Sequence, residues 1–218
     1  KNVVVFGETG VGKSSLINLI AGKQISATSS GAVGCTLEYK RYLLELGDPS
    51  QLFAVWDTAG LDEGTHGTVP AEKAEVYLKQ LLRDLAKTSG IDLLVYCVRG
   101  TRVRSALLCN YHIFHSAICR KKVPIAIVVT GLENQEGSME SWWLENEKEF
   151  STLKMHFDNH ACVTTATLDA PSATFESRLR ESRAAVINLI STTCRSQQWK
   201  PAERSWTETA ISDIRAML

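Results

Sequence analysis

The 218-residue chain has no excess of either charge: Lys and Arg together number 24, and Asp and Glu also number 24. That balance removes the usual grounds for expecting nucleic acid or an anionic membrane surface as the main partner. No apolar run approaches the length that a bilayer span requires, so no membrane segment is expected in this chain. A signal-peptide pattern is missing as well, and because Lys1 already stands at the edge of an apolar run, a segment upstream is left open. Cysteine is sparse and scattered, at Cys35, Cys97, Cys109, Cys119, Cys162 and Cys194, with no C-x-x-C pair. That spacing speaks against a disulfide framework or a zinc site and fits free thiols in a reducing, cytoplasmic setting. Internal repeats and low-complexity tracts are also lacking. What remains is an ordinary globular composition, 44% hydrophobic, long enough for one large domain with a short appendage.

Apolar runs and helical patterns alternate along the chain, as in a wound α/β sheet with helices on both faces. The expected strands are Asn2–Phe6, Leu37–Leu46, Leu52–Trp56, Ile91–Val98, Val123–Val129 and Ala161–Thr165. Gly47-Asp48-Pro49-Ser50 joins the second and third as an antiparallel hairpin inside an otherwise parallel series. Helices are expected from Lys13, over Pro70–Lys87, Arg104–Arg120, Met139–Met155 and Ser172–Thr193, and at Ser205–Leu218. Gln24–Cys35 is rich in small polar residues without periodicity and reads as a loop. The polar break at Gln197-Gln198-Trp199-Lys200-Pro201 divides the chain into a main unit, residues 1–196, and a helical extension, residues 197–218.

The strongest local pattern is Gly7-Glu8-Thr9-Gly10-Val11-Gly12-Lys13-Ser14, a G-x-x-x-x-G-K-S segment between the strand Val3–Phe6 and a helix start. Glycines at these places let successive backbone N–H groups turn inward around an anion, and the helix adds the positive end of its dipole. Glu8, Thr9, Gly10, Val11, Gly12, Lys13, Ser14 and Ser15 are the expected phosphate contacts. Lys13 reaches the β- and γ-phosphates in this reading, and the Ser14 hydroxyl binds Mg²⁺.

A phosphate loop alone serves ATPases, GTPases and small kinases equally. Asp57-Thr58-Ala59-Gly60 follows a strand, which places the Asp57 carboxylate at the strand end, where it holds a water on Mg²⁺. The Gly60 N–H is positioned to bond the γ-phosphate and report its loss. Thr36 abuts the second strand and is preferred over Thr28 as the hydroxyl closing over Mg²⁺ and γ-phosphate. Thr130-Gly131-Leu132-Glu133 follows the fifth strand; one carboxylate at Glu133 accepts both N1–H and N2–H of guanine, whereas adenine presents an acceptor there. Thr164-Thr165-Ala166 follows the sixth, with Thr165 and the Ala166 N–H as further base contacts. Glu133 also reads simply as an exposed acid opening an acidic helix. Trp142-Trp143 fit core packing better than a cover over the base.

In these residues the chain resembles the Ras-like G-domain GTPases. The likeness runs through Gly7–Ser14, Thr36, Asp57–Gly60, Thr130–Glu133 and Thr164–Ala166 in order, over residues 1–170. The G-E-T-G-V-G-K-S-S opening and the arginines after the fourth strand look most like the septin, immunity-associated and chloroplast import-receptor branch. Val128–Gln135 is similar to a group of fungal GTPases with a T-G-L-E base motif. The resemblance implies a three-layer, six-stranded G domain, Mg²⁺ dependence and a GTP/GDP cycle.

Four departures stand out. Gly131 replaces the lysine usual in the base motif, and Glu133 replaces a shorter aspartate. Leu61 stands where a water-orienting glutamine is usual, and Thr9 where Ras-like loops have glycine. Leucine cannot orient water, so the group that does so is sought elsewhere: Asp62, Glu63 or His66 in the same segment, or an arginine. Arg99, Arg102 and Arg104 cluster after the fourth strand, and Arg102-Val103 matches the arginine that in import-receptor relatives reaches across a nucleotide-facing homodimer. Those arginines equally suit a solvated corner. The function expected is Mg²⁺-dependent GTP hydrolysis. The alternatives are a nucleotide-gated interaction module with negligible turnover and, more distantly, a phosphate-loop kinase.

Overall fold

The computed structural model describes residues 1–26, 39–47, 51–60, 71–101, 107–166, 172–200 and 206–217. Alternation in the first strand divides the core in two. In β1 (Asn2–Phe6), Val4 and Phe6 point into one apolar cluster while Val3 and Val5 point into another, the period-2 geometry of a strand covered on both faces. The helix α1 (Lys13–Ala21) covers the second face with Leu16, Ile17 and Ile20.

The strands β2 (Lys40–Glu45), β3 (Leu52–Asp57), β4 (Leu93–Arg99), β5 (Ile125–Thr130) and β6 (Asn159–Cys162) complete one sheet in the order β2-β3-β1-β4-β5-β6. Every pairing is parallel except β2 with β3, where Lys40 lies opposite Asp57 and Glu45 opposite Leu52. The helices α2 (Ala71–Ala86), α3 (Leu107–Tyr111), α4 (Ser141–Thr152), α5 (Ala173–Thr193) and α6 (Trp206–Met217) occur in that order. Those of α2, α4 and α6 that are buried join Val4 and Phe6, and α5 joins α1 through Val186, Leu189 and Ile190. This is the three-layer G-domain architecture that the resemblance implies.

Several boundaries differ from expectation. The helix expected over Arg104–Arg120 is α3 followed by a π-helix, His112–Ile118; residues 102–106 lie outside the described residues. A wider turn still buries Ile113, Phe114, Ala117 and Ile118, so the apolar spacing does not reveal it. Instead of Ala161–Thr165, β6 ends at Cys162: Val163 N still donates to Val129 O at 2.8 Å, but Thr164 N turns to the Ser182 hydroxyl at 3.0 Å. The helix α4 stops before Met155 because Lys154 takes φ 58, left-handed, and Met155 N closes on Phe150 O. β4 starts at Leu93, not Ile91, which instead forms an isolated antiparallel bridge with Trp199.

That bridge returns the C-terminal residues to the sheet. Trp206 is 3% exposed and its indole N–H donates to Ile118 O at 2.8 Å, at the end of the π-helix. Ile211 and Ile214 pack in the same cluster as Leu78 and Leu82 of α2. Arg215 forms a double hydrogen bond with Glu75 on α2, a fork-to-fork ion pair. Trp142 and Trp143 are buried in the core; Trp143 stacks on Phe150 and on His160, with ring centroids 5.5 and 4.4 Å apart. Among the described residues no helix is long and apolar enough to cross a membrane, and Cys97, Cys109, Cys119, Cys162 and Cys194 are all free.

Candidate functional site

Parallel β1, β4, β5 and β6, together with β3, send their carboxyl ends to one edge, where crevices in wound α/β sheets form. The chain leaves β1 at Gly7, which takes φ 148; a Cβ there would stand 2.1 Å from the Cys97 carbonyl oxygen. Only glycine lets the loop start this close to β4. Further on, the Thr130 hydroxyl lies 2.5 Å from Val11 O and 3.1 Å from Val98 O and shares its proton between them. Cys97 Sγ, 3.7 Å from Val11 O, adds a weaker tie. The phosphate loop is therefore fastened to the ends of β4 and β5 by backbone and side chain together.

Within that loop Glu8 is half-buried, Thr9 and Gly10 are exposed and Val11 is buried. Gly12 caps α1 in the left-handed region at φ 96. Lys13 is only 8% exposed, and its Nζ donates to Gly7 O at 3.0 Å and Glu8 O at 2.8 Å. The ammonium thus lies inside the loop's own curve, at the mouth of the α1 N-terminus. Ser14 Oγ donates to Asp57 Oδ2 at 2.7 Å, and Ser26 Oγ to the same oxygen at 3.4 Å. Burial pushes the Asp57 carboxyl above its ordinary range, against the pull of the Ser14 hydroxyl and the Lys13 charge. A hydroxyl and a buried carboxylate side by side form an oxygen donor set that suits a hard cation such as Mg²⁺. No cluster of three or more His, Cys, Asp or Glu able to hold a metal occurs among the described residues.

Beyond Asp57, Thr58 Oγ1 donates to Val5 O at 3.0 Å, so the Asp57–Gly60 segment leaves the sheet beside the phosphate loop. Ala59 N donates to the phenolic oxygen of Tyr77 at 2.8 Å. Thr36, Leu61, Glu63, His66 and Arg102 lie outside the described residues.

At the other end of the crevice, Glu133 Oε2 accepts from Thr164 Oγ1 at 3.2 Å, and Ala166 N donates to that same hydroxyl oxygen at 3.3 Å. Thr164 thereby joins the Glu133 and Ala166 loops. Thr165, Ala166 and Ser15 border a common cleft of about 420 Å³ between α1 and α5. Two residues that sequence reasoning missed hold this region. Arg178 of α5 donates to the carbonyl oxygens of Glu133, Gln135 and Gly137, each at 2.8 Å, while Ser182 accepts from Thr164 N. Their spacing on α5 resembles any solvated helix face, and only the return of α5 to the β5 loop reveals their use.

Comparison with known proteins agrees with this layout. GTPase Der of Campylobacter curvus is 26% identical over 142 residues, which are 65% of this chain and 28% of Der. The chain therefore spans little more than a quarter of that relative's length. Rab-like protein 3 of Xenopus tropicalis is 25% identical over 187 residues, 78% of each chain. Among solved structures, Toc33 of Arabidopsis thaliana in complex with GDP and Mg²⁺ superposes with a TM-score of 0.53 at 20% identity, over 98% of this chain and 83% of that one. A further solved structure, with a TM-score of 0.55 at 18% identity over 98% of this chain and 82% of that one, belongs to the chloroplast translocon components atToc33 and psToc159, for whose GTPase activity dimerization is important. Such identities speak to the fold alone. The family model described as 50S ribosome-binding GTPase matches residues 2–131, more than half of the sequence, from β1 through the Thr130-Gly131 step, and the chain belongs to that GTPase family.

Proposed function

We propose that this chain binds GTP with Mg²⁺ and hydrolyses it to GDP and phosphate by in-line attack of water. One observation carries the reading: a phosphate loop with Lys13 in its curve and Ser14 on Asp57 shares one sheet edge with a base loop whose Glu133 carboxylate is held by Thr164. Lys13 and the amides from Glu8 to Ser15 take the phosphates, and Gly60 N–H meets the γ-phosphate. Glu133 accepts the guanine N1–H and N2–H while Thr130, Thr165 and the Ala166 N–H border the base. Ser14, Thr36 and, through water, Asp57 hold Mg²⁺, whose charge offsets that of the phosphates.

With Leu61 in place of glutamine, the water-positioning group is assigned to Glu63 or His66 of the same chain, or to Arg102 supplied across a nucleotide-facing homodimer. Toc33, where dimerization is stated to matter for activity, supports the last arrangement. An arginine beside the transferred phosphoryl group raises rates by about 10³–10⁵. Residues 1–196 form the catalytic unit and 197–218 an extension. The free cysteines suit a reducing cytoplasm.

The test is Mg²⁺-dependent phosphate release from GTP, with ATP alongside, over a hundredfold range of protein concentration. Specific activity that rises with concentration is expected for catalysis by a dimer, and Arg102→Ala then abolishes the rise. Flat turnover assigns the role to Glu63 or His66. A second reading, a nucleotide-gated assembly module, is favoured by Leu61 and predicts tight GTP binding with no turnover at any concentration.

A further inference from the structure

Arg99 is the last residue of β4 and the exposed end of an otherwise buried strand. It lies in register with Thr130, and the next amide, Gly100 N, donates to Thr130 O at 2.7 Å. One residue further along the base loop, Gly131 takes φ +77, where side chains are strained. Were a Cβ present there, it would stand 3.2 Å from Arg99 Cγ, 3.3 Å from Nε and 3.6 Å from Cζ. The arginine therefore runs from stem to guanidinium across the bare face of Gly131. Leu132 is buried beside Gly100, and Gly131, half-buried, lies under the Arg99 side chain. Among the described residues the Arg99 side chain has no carboxylate or carbonyl partner, unlike Arg178, which is fully engaged by the same loop.

A flat, weakly hydrated cation laid against a loop without a side chain keeps its face available for stacking on a π-system. Glu133, two residues on, fixes the edge of such a group, and Thr130 fixes its distance from the phosphate loop. We infer that Arg99 is a base-binding residue whose stem and guanidinium, seated in the space that a side chain at 131 would fill, supply the platform on which the purine ring stacks. The inference rests on the guanine-nucleotide reading above and adds a residue to it: the carboxylate selects the ring's edge and the arginine holds its face.

The experiment is calorimetric binding of GDP, of a non-hydrolysable GTP analogue and of inorganic pyrophosphate to the full chain and to Arg99→Ala, Arg99→Lys and Arg99→Gln. Stacking predicts that Arg99→Ala weakens GDP and the GTP analogue by the same factor, about 3- to 30-fold, and leaves pyrophosphate unchanged. Arg99→Gln, which keeps a planar head without charge, retains part of the affinity, and Arg99→Lys, charged but not planar, retains less than wild type. Unchanged GDP affinity in Arg99→Ala overturns the inference. So does a loss confined to the GTP analogue or shared by pyrophosphate, since either assigns Arg99 to phosphate. A wild-type chain that binds no guanine nucleotide refutes the underlying reading instead, and the stacking role with it.

Discussion

The phenolic oxygen of Tyr77 accepts the backbone N–H of Ala59 at 2.8 Å. It links α2 to the residue before Gly60, across the span from 61 to 70. Tyr77 is 5% exposed and meets Tyr39 edge to face at 5.9 Å; Tyr39 in turn bonds Asp84 on α2 and tilts against Trp56. Ala59 just after β3 and Tyr39 just before β2 are thus both referenced to one helix.

Tyr77→Phe keeps the ring and removes the acceptor, leaving the Ala59 amide without its partner. The expected loss is about 1–2 kcal/mol in unfolding free energy, read by urea denaturation, with the same variant raising amide exchange at Ala59 well above wild type.

Arg178→Ala removes three bonds to loop carbonyls at once. Hydrogen bonds to a charged group contribute about 1.5–3 kcal/mol, and partial exposure places the net cost at the lower end. The expectation is a lowered Tm together with weaker GDP binding, while Arg178→Lys, which cannot span Glu133, Gln135 and Gly137 as a fork, recovers little.

Glu133→Ala should erase the preference for guanine over adenine without touching the phosphate contacts. GTP affinity falls by at least about tenfold, ATP affinity holds or rises, and competition between the two nucleotides measures the ratio. An unaltered ratio would remove Glu133 from base selection.

The Arg215 hydrogen bonds, with Lys79 beside them, hold the Glu75 carboxyl down to about 2. A folded value below the unfolded one stabilises the docked α6 above the usual glutamate range, and that contribution fades as pH falls from about 4.5 toward 2. The pair is exposed, so the effect is small and sensitive to salt. Acid titration of Tm should be shallower in Glu75→Gln over that window, and 1 M salt should bring the two proteins together.

The candidate site is legible where chemistry is local. Gly7 through Ser14 is readable as a candidate phosphate loop because the contacts such a loop offers come from consecutive backbone amides, and Asp57–Gly60 and Glu133 because the first starts at the last residue of β3 and the second lies three residues past β5. Contacts between distant segments were not legible. Arg178 reaches a loop 45 residues away, and Tyr77 an amide 18 residues away, and neither leaves a periodic trace. The break between α3 and the π-helix was hidden because both windings bury the same apolar side chains. At β6 the strand signal of Ala161–Thr165 competed with the Ser182 hydroxyl, which draws Thr164 out of the ladder. The substitution of glycine at 131 was visible, but the arginine lying across it was not, since Arg99 looks in sequence like the polar end of any strand.

The Thr130 hydroxyl, bonded between Val11 and Val98, makes the crevice a caliper with its jaws already set. On the nucleotide reading proposed above, one jaw takes phosphate and the other the ring, and the Thr130 tie, with Cys97 Sγ beside it, sets the distance between them. Length, as much as chemical identity, is then a property by which this edge of the sheet is expected to discriminate.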